Sequence, residues 1–426
     1  MKWLFYDLLF LLAYLALLPG FLLKMKRRGG YAARFADRFG RYPRELVFPE
    51  GAVWIHAVSV GEVYVAGRFM SELRRQSPGI RFVLSTTSST GWAEALKQLG
   101  PGDVRIYCPL DFALCVRRAL DRIRPKALIL TESEIWPNLL RAAAKRGIPL
   151  WLVNARISDR SAPRYSKLRY WFGDIFNLFT KILTQSEQDK QRLVAAGANP
   201  SIIEVTGSVK YDVAARAPEK ETAVRNWIRH ALGGEHPILL GGSTWPGEDT
   251  VLLRIYSKLR AACPDWRLII APRHFEKADA IQANIRAAGF TCIRKSQSPD
   301  AIDPDAVLLA DTTGELIGFY ANADIAFVGK SLCAHGAQNM IEPCLCGCAT
   351  LVGPYTENFR PVMRDILAAH AIIQVPDAQT LEQQILRLAK DTPARQALGQ
   401  KAAHLVHSRK GVAEHCAKQI LATLRT

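Results

Sequence analysis

Two short runs in this chain end in carboxylates placed to take a proton. The apolar run Val53-Trp-Ile-His-Ala-Val-Ser-Val60 empties into Gly61-Glu62, and an amphipathic helix pattern follows directly. About seventy residues later the design returns as Ala127-Leu-Ile-Leu-Thr-Glu-Ser-Glu134. A strand that opens into a turn with a carboxylate at its mouth presents a base to the cleft of an α/β enzyme. Two acidic strand ends at one crevice point to chemistry on a hydroxyl or a sugar.

Other reactive residue types also sit where strands should end. Ser85-Thr-Thr-Ser-Ser-Thr-Gly91 is a hydroxyl-rich turn, and Asn154-Ala-Arg-Ile-Ser158 closes a further apolar run. In the second half, Gly241-Gly-Ser-Thr-Trp-Pro-Gly-Glu248 follows a strand pattern and opens a helix. Its backbone amides and two hydroxyls make it an anion site or an ordinary Ser/Thr-capped turn. Ala271-Pro-Arg-His274 offers a guanidinium and an imidazole to a phosphate or carboxylate. Asp311-Thr-Thr-Gly-Glu-Leu316 brings Glu315 to a helix start. Gly329-Lys-Ser331, leading into Gly336-Ala-Gln-Asn-Met-Ile-Glu-Pro343, sets a carboxylate near ribose hydroxyls and amides near phosphate oxygens. Capping of its own helix is the alternative role for Glu342.

These residues need strands to carry them. Apolar runs at Val53–Val60, Arg81–Ser85, Val104–Tyr107, Ala127–Thr131, Pro149–Asn154, Lys181–Thr184 and Ile203–Thr206 alternate with helical patterns such as Gly61–Gln76 and Glu134–Arg146. After a polar stretch at Lys210–Arg225, read as a linker, the rhythm restarts. It runs through Pro237–Gly241, Arg267–Ala271, Thr291–Lys295, Ala306–Ala310, Ile325–Gly329, Ala349–Val352 and Ile372–Val375. That alternation predicts two doubly wound α/β domains, each binding ligands outside its strands' carboxyl ends, with a cleft between them. The tail Thr392–Thr426 reads as helix that packs back across the lobes. Expected boundaries are 1–30 for an amino-terminal segment, 31–212 for the first domain and 213–426 for the second.

A chain of 426 residues is long enough for two cores. Its formal charge of +17 suits nucleic acid, an anionic membrane or a phosphorylated substrate. No recognised motif or basic–aromatic stripe supports nucleic acid. Trp3–Leu23 is almost wholly apolar and is followed by Lys24-Met-Lys-Arg-Arg28. Basic residues after the apolar run, with no small-residue cleavage site, read as a membrane anchor and not a cleaved signal. The positive flank places the body on the cytoplasmic side. A buried helix of a soluble protein is the alternative. The nine cysteines are scattered and odd in number, which suits reduced thiols packed as small hydrophobes. Cys344, Cys346 and Cys348 are too closely alternated for a zinc site.

Taken together and in order, His56-Ala-Val-Ser-Val-Gly-Glu62, Glu132-Ser-Glu-Ile-Trp-Pro-Asn138, Asn154-Ala-Arg-Ile-Ser158, Thr206-Gly-Ser-Val-Lys210, Pro272-Arg-His274, Gly314-Glu-Leu316 and Asn339-Met-Ile-Glu342 resemble the bacterial 3-deoxy-D-manno-octulosonic acid (Kdo) transferases of lipopolysaccharide assembly. The resemblance implies a GT-B glycosyltransferase at the cytoplasmic face of the inner membrane. It would move Kdo from CMP-Kdo, a co-substrate, to a lipid A precursor (lipid IVA), inverting the anomeric centre with no metal or other cofactor. The position matching the family's base is Glu62. Donor binding falls to Ser243, Thr244, Pro272, Arg273, His274, Gly314, Glu315, Leu316, Asn339 and Glu342. Acceptor binding or site support falls to Ser59, Gly61, Thr86, Glu132 and Arg156. Anionic inner-membrane lipids are the further partner, and basic residues near the anchor suit a phosphorylated lipid at that surface. Lys330 and Ala337 depart from the common glycine-rich pattern. Two rivals are a GT-B sugar-nucleotide epimerase, which has no reason to keep an anchor, and a non-catalytic lipid-binding module, which has no need of ordered motifs in both halves.

Overall fold

The computed structural model describes residues 2–28, 34–297 and 300–424. It divides into two compact units, Met1–Val213 with Gly411–Thr426, and Ala214–Lys410. Each unit is built on a parallel seven-stranded sheet.

The first sheet comprises β1 (Val53–His56), β2 (Phe82–Thr86), β3 (Val104–Tyr107), β4 (Ala127–Thr131), β5 (Leu150–Ala155), β6 (Lys181–Thr184) and β7 (Ile203–Val205). Their order is β3-β2-β1-β4-β5-β6-β7. Strands covered by helices on both faces need apolar side chains on both, and β1, β2, β4 and β5 are buried at every position. Alternate residues feed opposite cores. Trp54, Val83, Leu128 and Leu152 face one, and Val53, Ile55, Leu84 and Ile129 face the other.

The second sheet comprises β8 (Ile238–Thr244), β9 (Arg267–Pro272), β10 (Cys292–Arg294), β11 (Val307–Leu309), β12 (Ile325–Val328), β13 (Ala349–Val352) and β14 (Ile373–Gln374), in the order β10-β11-β9-β8-β12-β13-β14. The strand order reverses between β1 and β4 in one sheet and between β8 and β12 in the other. At such a reversal the connections leave in opposite directions, and a crevice opens beyond the strands' carboxyl ends. The acidic motifs of the first half and the Gly-Ser-Thr and Gly-Lys-Ser turns of the second sit at these two places.

Three sequence expectations change. The first strand stops at His56, because Ser59 caps a helix that starts at Val60. The stretch read as a linker is largely helical, as Lys210–Val213 and Pro218–Leu232. The expected boundary at 213–426 puts the whole tail in the second domain, yet its last helix, Val412–Leu424, belongs to the first unit. There Val412, Cys416, Ala417 and Ile420 share a core with Val63, Phe69, Met70 and Leu73. Helix Thr392–Ser408 ends before Gly411, whose φ of 98° lets the chain turn back.

The amino-terminal residues form one helix, Lys2–Arg28. Its Lys2–Phe21 segment is long and apolar enough to cross a membrane by length and composition. The side chains of Lys24–Arg28, and the rest of the expected anchor to residue 30, lie outside the described residues.

Candidate functional site

In the first unit, Glu62 is the third residue of helix Val60–Gln76, beyond the end of β1. Ser59 caps that helix, its Oγ accepting from the Glu62 amide, and Ser59 Oγ donates in turn to Glu62 Oε1 at 2.8 Å. The other oxygen, Oε2, accepts from the Val58 amide at 3.0 Å and from Thr131 Oγ1 at 3.1 Å across the switch point. In the first turn of that helix, both carboxylate oxygens are thus fixed by three donors. Glu62 is 8 % exposed and makes no ion pair among the described residues. Ser59 and Gly61 stand exposed beside it.

Two more carboxylates follow β4. Glu132 adopts φ 55°, a left-handed conformation that costs a side-chain-bearing residue energy, and its Oε2 accepts from Arg156 Nε at 2.6 Å. Glu134 accepts from Trp136 Nε1 at 3.0 Å. Burial, and next the Glu62 charge, push the Glu134 carboxyl up to about 7. His56 is fully buried with Nδ1 2.8 Å from Ser85 Oγ, and burial pushes it down to about 4. Its ring is therefore neutral at pH 7, and Nε2, 3.9 Å from Glu134, makes neither an ion pair nor a hydrogen bond. Lys210 completes the group. Burial lowers its pKa, while the Glu132 and Glu62 charges oppose that shift. Thr86 is different, being fully buried at the end of β2, where its side chain is closed to a ligand.

In the second unit, the loop after β12 passes directly over the end of β8. A Cβ on Gly329 would lie 2.3 Å from the Ser243 carbonyl oxygen, so this crossing requires glycine. Lys330 and Ala337 take φ 57° and 50°. The left-handed geometry that glycine favours is thus retained by other residues, locked by Ala337 N donating to Lys330 O at 2.8 Å. A cavity is lined by Ser243, Pro272, Arg273, Thr312, Gly314 and Leu316. Thr244 and His274 lie on an adjoining depression, where the His274 ring meets Trp245 edge-on at 4.8 Å. Glu315 is held by Lys295 and Thr312, which outweigh burial and keep its carboxyl below the usual range. Asn339 Nδ2 donates to Glu342 Oε1 at 3.0 Å. Burial raises the Glu342 carboxyl, and Asn339 and the Arg273 charge oppose that.

The backbone amides expected to meet phosphate have another partner. Glu248, fully buried, accepts from the amides of Trp245 at 2.7 Å, Lys330 at 2.8 Å, Ser331 and Leu332 at 3.1 Å and Cys333 at 3.4 Å. A side-chain carboxylate occupies the anion position, and among the described residues that line the cavity Arg273 is the one cation. Sequence reasoning missed Glu248 as an organiser, though a Glu opening a helix after a Gly-Ser-Thr turn was the available signal. Lys210 closes the matching run Thr206-Gly-Ser-Val-Lys210, but the sequence gives it no role because the residues that follow read as a linker. Among the described residues, no group of three or more His, Cys, Asp or Glu side chains is placed to hold a metal ion.

The fold is that of solved two-domain sugar-nucleotide proteins. The chain matches a putative UDP-N-acetylglucosamine 2-epimerase from Listeria monocytogenes with a TM-score of 0.57 and 14% identity, over 88% of this chain and 96% of that one. A glycosyltransferase from Rickettsia africae matches with a TM-score of 0.57 and 12% identity, over 89% and 100%. The protein is a glycosyltransferase of GT-B architecture. A family model described as 3-Deoxy-D-manno-octulosonic-acid transferase (kdotransferase) matches residues 33–213. The chain is 37% identical over 390 residues to the 3-deoxy-D-manno-octulosonic acid transferase of Bordetella pertussis and 30% identical over 382 residues to that of Haemophilus influenzae, covering 89% of each chain in both cases. The chain belongs to the 3-deoxy-D-manno-octulosonic acid transferase family.

Proposed function

We propose that this enzyme transfers Kdo from CMP-Kdo to a lipid A precursor, lipid IVA, with Glu62 as general base. The carrying observation is a carboxylate at the β1/β4 switch point, held by three hydrogen-bond donors and, among the described residues, in no ion pair. An acceptor hydroxyl is a poor nucleophile, so Glu62 takes its proton as the oxygen bonds to the anomeric carbon of Kdo. CMP leaves from the opposite face with the electron pair of the broken bond, which inverts the centre. The first unit takes the acceptor, with Glu132 and Arg156 supporting the site. The second unit takes the donor, where Arg273 meets the phosphate charge as it develops and Glu315 and Glu342 serve the nucleotide's hydroxyls. The reading uses no resident metal.

The amino-terminal helix attaches the enzyme to the cytoplasmic face of the inner membrane, with anionic lipids attracted by the +17 charge. Purified Glu62→Gln enzyme should lose transfer by at least about a hundredfold while binding CMP-Kdo normally, with products resolved by mass and binding by calorimetry. Near-normal turnover in that variant would refute the assignment of the base.

A further inference from the structure

The amino-terminal helix does not stand free of the first unit. One stripe of it, recurring every three or four residues, lies against the body along nearly its whole apolar length. Lys2 pairs with Asp174, and Trp3 packs edge-on against Trp171 at 6.0 Å with the Arg141 guanidinium 4.4 Å above its ring. Tyr6 donates to Asp111 at 2.8 Å, and Asp7 accepts from Asn138 Nδ2 at 2.6 Å. Phe10 and Tyr14 straddle Phe112 at 5.0 and 5.7 Å, and the Arg38 guanidinium lies 5.6 Å from the Phe21 ring. From residue 3 to residue 21 the helix rises roughly 27 Å, close to the ~30 Å of a hydrocarbon core. The residues that would have to cross a bilayer are therefore the ones docked along the protein.

The opposite face carries Leu4, Phe5, Leu8, Leu9, Leu12 and Leu15, each more than half exposed. That surface exceeds what an ordinary soluble monomer leaves in water. At the start of the helix, Phe5 lies 6.1 Å from Trp171 and the Lys2 ammonium 4.3 Å from the ring of Tyr170, and the exposed Leu168 and Tyr170 there are neighbours in sequence of the exposed cations Arg164, Lys167 and Arg169. Acyl chains match the leucines, and anionic headgroups match the flanking cations. A crossing helix would instead strand Asp7 in hydrocarbon and break its bond to Asn138.

We infer that this helix lies in the plane of one leaflet, its leucine face among the acyl chains and its aromatic stripe on the body, and does not cross the bilayer. The inference rests on the membrane attachment proposed above and specifies its geometry.

The test uses the full-length chain in cell membranes, carrying an amino-terminal peptide tag and the pair Asp7→Cys with Asn138→Cys, the single variants serving as controls for native thiols. Oxidation should cross-link the pair in membranes, and protease added from the periplasmic side should leave the tag intact. A tag digested from that side, with no cross-link, overturns the in-plane geometry and leaves attachment standing. Separately, Leu8→Ser with Leu12→Ser should weaken binding to vesicles of phosphatidylethanolamine and phosphatidylglycerol by at least about tenfold. A chain with the cysteine pair and intact leucines that cross-links fully but never binds those vesicles overturns attachment and the inference with it.

Discussion

Glu134 shares its end of β4 with Glu132 and feels the charge of Glu62, so the protons of this group are tied to its burial. Its carboxyl rises from 4.5 to about 7 on folding. Between those values the folded chain holds a proton that the unfolded chain has released. The stability this group contributes is complete below about pH 4.5 and is lost as pH rises through 7. Glu134→Gln removes the titration. Between about pH 5 and 8 the parent should lose about 1–3 kcal/mol more than the variant in urea unfolding. Equal losses in both proteins would show that Glu134 is already ionised. Sequence made Glu62, Glu132 and Arg273 visible because each follows an apolar run at a strand's end. It could not show that Lys210 returns to Glu132, since partners this far apart in sequence are joined only by the sheet.

At the scale of elements, the donor-side loop depends on an acid that opens helix Glu248–Ala262 and reaches four consecutive amides at 330–333. Glu248→Gln keeps the shape but turns an N–H donor toward N–H donors. It should destabilise the second unit by about 2–4 kcal/mol and weaken CMP-Kdo binding, read by chemical denaturation and calorimetry. Unchanged stability would mean that these amides find other acceptors. Gly329→Ala should disturb the same loop, since the added carbon would meet the Ser243 carbonyl oxygen. The glycine-rich pattern is interrupted at Lys330, yet the backbone there is left-handed. Local residue type argued against that turn, and the hydrogen bonds of the Glu248 carboxylate and of Ala337 enforce it.

At the scale of the whole chain, the second unit is continuous in sequence and has its own two cores, whereas the first needs the last helix. Residues 214–410 expressed alone should fold cooperatively and bind CMP-Kdo. A chain ending at residue 408 should lose the cover of Phe69, Met70 and Leu73, and Ile420→Ala in the full chain should cost about 2–5 kcal/mol. Circular dichroism and thermal melts decide both, and an unaffected melt in the truncated chain would count against the shared core. The sequence alone determined the fold class, the strands and the acidic strand ends, because strand propensity, hydrophobic period and turn chemistry act over a few residues. Only the tertiary structure decided which carboxylate meets which donor, that Glu248 fills its own anion site, that the last helix rejoins the first unit and that the amino-terminal helix is laid along the body. Those outcomes depend on contacts between residues far apart in the chain, which no local pattern encodes.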